Sequence, residues 1–178
     1  VPGTVHMAET VEEVLVAGAQ LSAGAVPAEP FLLVGQMTAA DPTRAPAGGE
    51  SLWAYAHVPQ RTLSDAGADL PTGPVRGTWD EADRERFADR MQARLERYAP
   101  TLAERVVARR VLGPRELEQR DENLVGGALN GGTASLHQQL VLRPVPGTGR
   151  AETPVKGLYL ASASAHPGGG VHGACGAN

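Results

Sequence analysis

The chain has 178 residues, a formal net charge of −4 and an apolar content of 42%. A chain of this length can bury a sizeable core, and its weak acidity argues against a nucleic-acid partner. The single cysteine, Cys175, excludes an internal disulfide and is typical of a reducing compartment, so we expect a cytoplasmic protein. No apolar run reaches the ~18 residues that a membrane helix needs, so we expect no transmembrane segment.

The first part of the chain predicts a strand, a helix and two further strands. A short strand is expected at 3–7, and Thr10 then begins a capping-box pattern that predicts a helix ending at Gly24. Two apolar segments at 31–37 and 51–58 flank a loop rich in Pro and Gly. Segments of this kind predict an antiparallel pair of strands.

A second helix is predicted in the middle of the chain. A second capping-box pattern gives Thr78 as the cap of a helix that extends over about 81–98. Most of the charged residues between 80 and 97, Arg90 among them, are expected on a solvent-exposed face of that helix. The following segment, 105–112, is predicted to form a strand.

The last third of the chain is rich in turns. Pro114 predicts the start of a short helix, and a glycine-rich turn is expected at 126–132. The apolar segment 136–142 fits either a helix or a strand. A linker rich in Pro and Gly over 143–156 leads to a final predicted strand at 157–162.

Together these elements predict an α+β fold, with an antiparallel or mixed sheet and helices on one side. The predicted strand at 157–162 is nearly continuous in apolar residues, which is typical of strands inside a parallel sheet. Without neighbouring strands, the backbone N–H and C=O groups at its edges would be unpaired and would tend to pair with another chain. We therefore expect that the chain self-associates through 157–162, or that residues 157–178 pack in a non-native place or against a second copy.

The glycine cluster that follows this strand carries the strongest functional signal. A strand, a glycine cluster and a helix start in this order suit a phosphate or a planar cofactor, because glycine lets the backbone approach closely. A purely structural glycine turn explains the same pattern, and both interpretations stay open. The spacing of the two histidines matches no common zinc pattern, so no metal site is predicted. The candidate cofactor-binding residues are Ser162, His166, Gly168, Gly169, Gly170, Val171 and His172.

Two further groups are candidates for a substrate pocket. Trp53, Tyr55 and His57 alternate along a predicted strand and so share one of its faces. They would either line a pocket or lie beneath a covering helix. Asn130 and Gly131 would either form a tight turn or bring the backbone close to a bound ring. No catalytic residue is assigned.

Several motifs resemble a known enzyme family. The segments 154–160 and 166–171 read Pro-Val-Lys-Gly-Leu-Tyr-Leu and His-Pro-Gly-Gly-Gly-Val. They are similar to the C-terminal flavin-binding segment of phytoene desaturase-like FAD-dependent oxidoreductases. Gln138, Arg143 and Pro144 resemble that family's Gln-x-x-x-x-Arg-Pro pattern.

Residues 41–48 and 52–59 resemble substrate-domain strands of the same family. The resemblance implies a partial substrate domain over 1–150 and a C-terminal segment of an FAD-binding domain over 151–178. It also implies FAD as the cofactor, and a parent enzyme that transfers hydride from a small, apolar organic substrate to the flavin.

The sequence departs from this family in three places. His172 stands where a proline is usual, and Ala128 stands where an acidic residue is expected. The N-terminal Gly-x-Gly-x-x-Gly that grips the ADP half of FAD is absent, so the chain by itself is expected to be inactive and not to retain FAD. The alternative is a non-catalytic binding or assembly domain that never holds FAD.

Overall fold

The chain divides into two compact units, each of which is described by itself. Unit 1 is Val1–Val111 and unit 2 is Leu112–Asn178. The boundary between 150 and 151 that the family resemblance implies falls within unit 2, and it stays a prediction about domains of the parent enzyme. The computed structural model describes residues 3–133, 135–170 and 172–177.

Unit 1 is an α+β structure, which confirms the predicted fold class. Strand β3 is the centre of an antiparallel sheet in the order β1-β3-β4, and β2 pairs in parallel with β5. The strands are β1 (Thr4–Met7), β2 (Ala25–Val26), β3 (Leu32–Gln36), β4 (Leu52–Ala56) and β5 (Ser64–Asp65). The helices are α1 (Val11–Ser22), α2 (Glu81–Glu96) and α3 (Leu102–Arg105).

Helix α1 begins at the predicted cap. The Thr10 hydroxyl accepts a hydrogen bond from the N–H of Glu13 at 3.2 Å. The Glu13 carboxylate in turn accepts the N–H of Glu9 at 3.0 Å. These two bonds satisfy donors that the first turn of a helix cannot pair internally.

Helix α2 begins at a different cap from the predicted one. Asp80, and not Thr78, accepts the N–H of Asp83 at 3.0 Å, because the Thr78 hydroxyl donates to the Asp83 carboxylate instead, at 2.8 Å. That buried carboxylate also accepts the N–H groups of Arg76 and Trp79, at 3.0 and 3.1 Å. Burial alone would raise the pKa of Asp83, but these hydrogen bonds outweigh it and lower the pKa to about 2.

The charged stretch of α2 does not lie wholly in solvent, so that prediction is wrong for two of its arginines. The exposed fraction is 3% for Arg90 and 1% for Arg94. Arg90 forms a two-point bond with Asp65, at 2.8 and 2.9 Å. Arg94 binds Glu29 at 2.6 Å and also Glu13 of α1. These distant carboxylates allow both charges to be buried.

The core of unit 1 lies between α2 and the strands. The rings of Trp79 and Phe87 meet edge to face, with centroids 5.8 Å apart. Ala56 and Val58 pack against this core from the end of β4. The residues that define the core cluster are Val26, Val75, Trp79 and Phe87.

The strand predicted at 105–112 does not form. Residues 106–112 pair with no strand. Arg109 instead binds Glu85 and Asp89 of α2, each at 2.7 Å. The segment is therefore held to a helix by its charged side chain, and not to a sheet by its backbone.

Unit 2 has little regular structure. Its described helices are α4 (Pro114–Arg120), which begins at the predicted Pro114, and the short α5 (Ala174–Ala177). Within 136–142 the chain forms two 3-10 turns, Leu136–Gln138 and Leu140–Leu142, and so neither of the two predicted alternatives. Among the described helices of both units, none combines the length and the apolar character that crossing a bilayer requires.

The final strand predicted at 157–162 is also absent. This part of the chain folds back on itself, with the N–H of Leu160 donating to the carbonyl of Ala151 at 2.7 Å. Only an isolated bridge between Glu152 and Tyr159 results, because an apolar strand needs neighbours on both sides. Self-association of the chain stays a prediction, but its premise, a continuous strand edge, is not present.

Candidate functional site

The predicted glycine cluster lies in unit 2, and side chains of the same unit pack against it. A Cβ at Gly168 would lie 3.0 Å from Nη1 of Arg143. A Cβ at Gly169 would overlap Oδ1 of Asn130. Gly168 is buried and has a φ of +118°, a backbone conformation that favours glycine. These two glycines therefore allow a close approach that any other residue would obstruct.

The end of the cluster is joined to helix α5. The ring of His172 lies against Gly170, and its Nδ1 accepts the N–H of Ala174 at 3.0 Å. The thiol of Cys175 donates to the carbonyl of Gly168 at 3.0 Å. The hydrogen bonds of His172 and Cys175 thus connect the glycine cluster to α5.

The second glycine segment, which contains Asn130 and Gly131, lies against the first. A Cβ at Gly131 would lie 2.8 Å from the Cβ of Ser164. Nη2 of Arg143 donates to the carbonyls of Asn130 and Gly131, at 2.5 and 3.3 Å. The structure therefore brings two predicted groups into contact. The glycine cluster was predicted to bind the cofactor, and the segment with Asn130 and Gly131 was predicted to line the substrate pocket.

Arg143 is the central residue of this arrangement, and the sequence prediction of site residues misses it. Its exposed fraction is 3%, and the ion pairs found among the described residues do not include it. Its positive charge is instead solvated by backbone carbonyls. Two signals were available: its place in the Gln-x-x-x-x-Arg-Pro pattern, and its isolation as the one Asp, Glu, Lys or Arg between Glu122 and Arg150.

The remaining predicted cofactor residues surround this arrangement less closely. The hydroxyls of Ser162 and Ser164 are 2.6 Å apart and bond to each other. His166 is half-buried. Val171 lies outside the described residues. Ser162 is exposed, and its partner Ser164 contacts Gly131 of the second segment.

The predicted aromatic residues lie in unit 1 and do share one face of β4. The rings of Trp53 and Tyr55 stack with centroids 5.6 Å apart and an interplanar angle of 10°. His57 meets Tyr55 edge to face at 6.2 Å. The indole of Trp53 lies over Gly35 of β3, where a side chain would collide with it. Tyr55 is 41% exposed and His57 is exposed, so this end of the face is not covered by a helix.

His57 also lines a groove of about 140 Å³ beside helix α1. A cavity of roughly 150 Å³ with apolar walls accommodates a group of the size of benzene. The groove in unit 1 thus has room for one small apolar group next to an imidazole. Its other lining residues are Val14, Ala17, Gly18, Leu21, Pro27 and Phe31.

The glycine segments of unit 2 lie beside a buried cation, Arg143. Within the described residues, no group of three or more His, Cys, Asp or Glu side chains lies together as metal ligands would. The glycine segments are packed against side chains of the same unit, and the buried charge of Arg143 lies beside Gly168. Backbone of positive φ makes concave N–H surfaces that bind anions. A buried cation beside positive-φ backbone is the kind of environment in which a phosphate group can bind.

Comparison with known proteins finds two relatives that are named for an oxidoreductase domain. The chain is 39% identical over 138 residues to pyridine nucleotide-disulfide oxidoreductase domain-containing protein 2 of Rattus norvegicus. The protein of the same name from Mus musculus is also 39% identical over 138 residues. Both names describe an oxidoreductase domain, and neither of them mentions a desaturase.

This similarity covers 78% of the chain but only 22% of each relative. The chain therefore spans about a fifth of the length of the curated relatives it matches. No protein-family model matches the chain, and no solved structure matches it.

Proposed function

We propose that this chain is part of a longer FAD-dependent oxidoreductase, here called the parent polypeptide. In this proposal the glycine segments of unit 2 hold the flavin nucleotide, and the aromatic face of unit 1 contributes to substrate binding. The similarity to two oxidoreductase domain-containing proteins supports the reaction class. The observation that carries the cofactor assignment is the meeting of two glycine segments at the buried Arg143.

FAD, when bound, accepts a hydride from an organic substrate, and the protein supplies its binding and orientation. Gly168 and Gly131 pack against Arg143 and Ser164, and they would hold the two segments together beside the nucleotide. The side chains of Asn130 and His172, which lie over the other two glycines of the cluster, would contact it. Among the residues that the structure describes, none is assigned the role of general base in this step.

For the substrate, we propose a small apolar organic molecule that loses hydrogen from a C–C or C–N bond, as in desaturase-like enzymes. The stacked rings of Trp53 and Tyr55 offer a flat apolar surface. The groove beside α1 adds an apolar recess with His57 at its edge. Both features favour an apolar molecule over a charged one.

A non-catalytic binding or assembly domain is the competing function. The observation in its favour is that side chains of the same unit occupy the space over all three glycines of the cluster. In this alternative the glycines serve only internal packing and do not bind a cofactor.

Anaerobic reduction of the purified parent polypeptide tests the proposal. We expect a flavin absorption spectrum that is bleached by photoreduction and restored by a dye that accepts electrons. A folded parent polypeptide without a flavin spectrum, even after incubation with excess FAD, would favour the non-catalytic alternative. A flavin that is bound but cannot be reduced would refute the oxidoreductase assignment alone.

A further inference from the structure

We propose that Arg143 is a positioning residue that clamps the two glycine segments of unit 2 into the arrangement that receives the nucleotide. The clamp is inferred from contacts within this chain. Its consequence for the cofactor rests on the proposed function, so the two parts are tested separately below.

The first step is the geometry of the guanidinium. Nη2 donates to the carbonyls of Asn130 and Gly131, at 2.5 and 3.3 Å. Nη1 faces Gly168, where an added Cβ would lie 3.0 Å away. One planar group thus contacts two segments that are separated by more than thirty positions in the sequence.

The second step is that these segments also contact each other directly. The Asn130 amide lies over Gly169, and Gly131 lies against Ser164. Two contacts between small residues are weak by themselves. A buried hydrogen-bonded cation between them would make the contacts cooperative, because a buried charge that loses its partners is costly.

The third step is the choice of arginine. The guanidinium is solvated by carbonyls, and no ion pair among the described residues includes it. Its planar fork can donate to several acceptors in fixed directions, whereas a lysine is a single point donor. Arg143→Lys keeps the charge but cannot reproduce the clamp. The matched control is Arg150, in the same unit, whose side chain is 72% exposed.

The clamp is tested by amide hydrogen exchange in the 178-residue chain itself. For Arg143→Lys, we expect peptides covering 126–133 and 163–170 to exchange faster together, by about tenfold or more. Arg150→Lys should leave both peptides as in the wild type. The clamp is refuted if Arg143→Lys leaves both peptides protected, or if only one of them responds.

A second variant changes the glycine that faces the guanidinium and leaves the arginine in place. It keeps the proposal testable if Arg143→Lys does not fold. Gly168→Ala should push the guanidinium away and deprotect the 126–133 peptide. Gly173→Ala is the matched control, because it has a φ of +64° but no neighbour within 4 Å. If Gly168→Ala affects only its own peptide, as Gly173→Ala should, Arg143 does not join the segments.

The consequence for the cofactor is tested in the parent polypeptide. We expect Arg143→Lys to weaken FAD binding about tenfold or more and to shift the absorption band of the flavin that remains bound. Arg150→Lys should change neither. A purely structural arginine would lower thermal stability without changing the spectrum of bound flavin.

The outcomes separate the two proposals. If the wild-type parent polypeptide binds no FAD, the proposed function is wrong, and the exchange experiment still decides the clamp. If the wild type binds FAD and Arg143→Lys binds it equally well with an unchanged spectrum, the positioning role is wrong while the proposed function stands.

Discussion

The side-chain amide of Asn130 lies directly over the backbone of Gly169, in the space that a Cβ at this residue would occupy. The two residues come from segments far apart in the sequence, so their contact reports whether the glycine segments are assembled. A larger residue at Gly169 is therefore expected to separate the two glycine segments directly.

We predict that Gly169→Val abolishes FAD retention in the parent polypeptide, because the new side chain collides with Asn130 and opens the glycine segments. The flavin content after gel filtration measures this. Gly176→Val is the control, since a Cβ at Gly176 meets nothing within 4 Å. Normal flavin content in a folded Gly169→Val protein would show that the glycine cluster does not face the cofactor.

A related variant distinguishes collision from direct contact with the cofactor. Gly169→Ala should also lower FAD retention in the wild-type background, but much less in an Asn130→Ala background, where the overlapping amide is gone. If Gly169→Ala lowers FAD retention equally in both backgrounds, the collision with Asn130 is not the cause of the loss.

Asp83 should make the stability of unit 1 depend on acidic pH. Its pKa falls from the ordinary 3.8 to about 2 on folding, which corresponds to about 2 kcal/mol of unfolding free energy. This contribution is complete above about pH 5 and is lost as the pH falls towards 2.

We therefore expect Asp83→Asn to lower the unfolding free energy at pH 7 by about 2 kcal/mol, with the difference from wild type vanishing near pH 2. Urea unfolding followed across this pH range measures it. Asp69→Asn, at an exposed position, should have almost no effect. A difference for Asp83→Asn that is independent of pH would contradict the role of the charge.

The buried pair of Arg90 and Asp65 gives a prediction about stability. Arg90→Met leaves the Asp65 carboxylate, which is 5% exposed, with the N–H groups of Gly67 and Val75 but without its ion-pair partner, and should cost about 3 kcal/mol. Replacing both residues, as in Asp65→Leu with Arg90→Met, should cost less than the single change. Thermal unfolding compares the two variants, with exposed Arg61→Met as the control. A double variant less stable than Arg90→Met would contradict this account.

Elements with local signals were predictable from the sequence. Thr10 and its capping partner Glu13 lie three residues apart, so the start of α1 could be predicted and is confirmed. The antiparallel pair of β3 and β4 followed from two apolar segments that flank one loop. The stacking of Trp53 and Tyr55 on one face followed from the period of two in a strand.

Elements that depend on distant partners were not predictable. Arg94 is buried because Glu13 and Glu29 reach it from positions 81 and 65 residues away. The apolar segment 157–162 has strand composition, but no neighbouring strand pairs with it in the described structure. The composition of a segment indicates its preference for helix or strand. Whether it is buried or paired depends on partner residues elsewhere in the chain.

The candidate site shows the same limit. The glycine cluster at 168–170 and the turn with Asn130 were each predictable, because glycine-rich turns are visible in any sequence. Their meeting at Arg143 was not, since the contacts are between backbone carbonyls and one distant side chain. An isolated arginine in an uncharged stretch is the signal that a sequence-only search for buried charges would use.

The amount of FAD per polypeptide tests the central claim most directly. The parent polypeptide and the 178-residue chain are purified under the same conditions, and FAD is quantified after acid release. The account predicts about one FAD per parent polypeptide, as expected for one site, and almost none for the chain alone. A folded parent polypeptide that contains no FAD, and takes up none on reconstitution, would contradict the account.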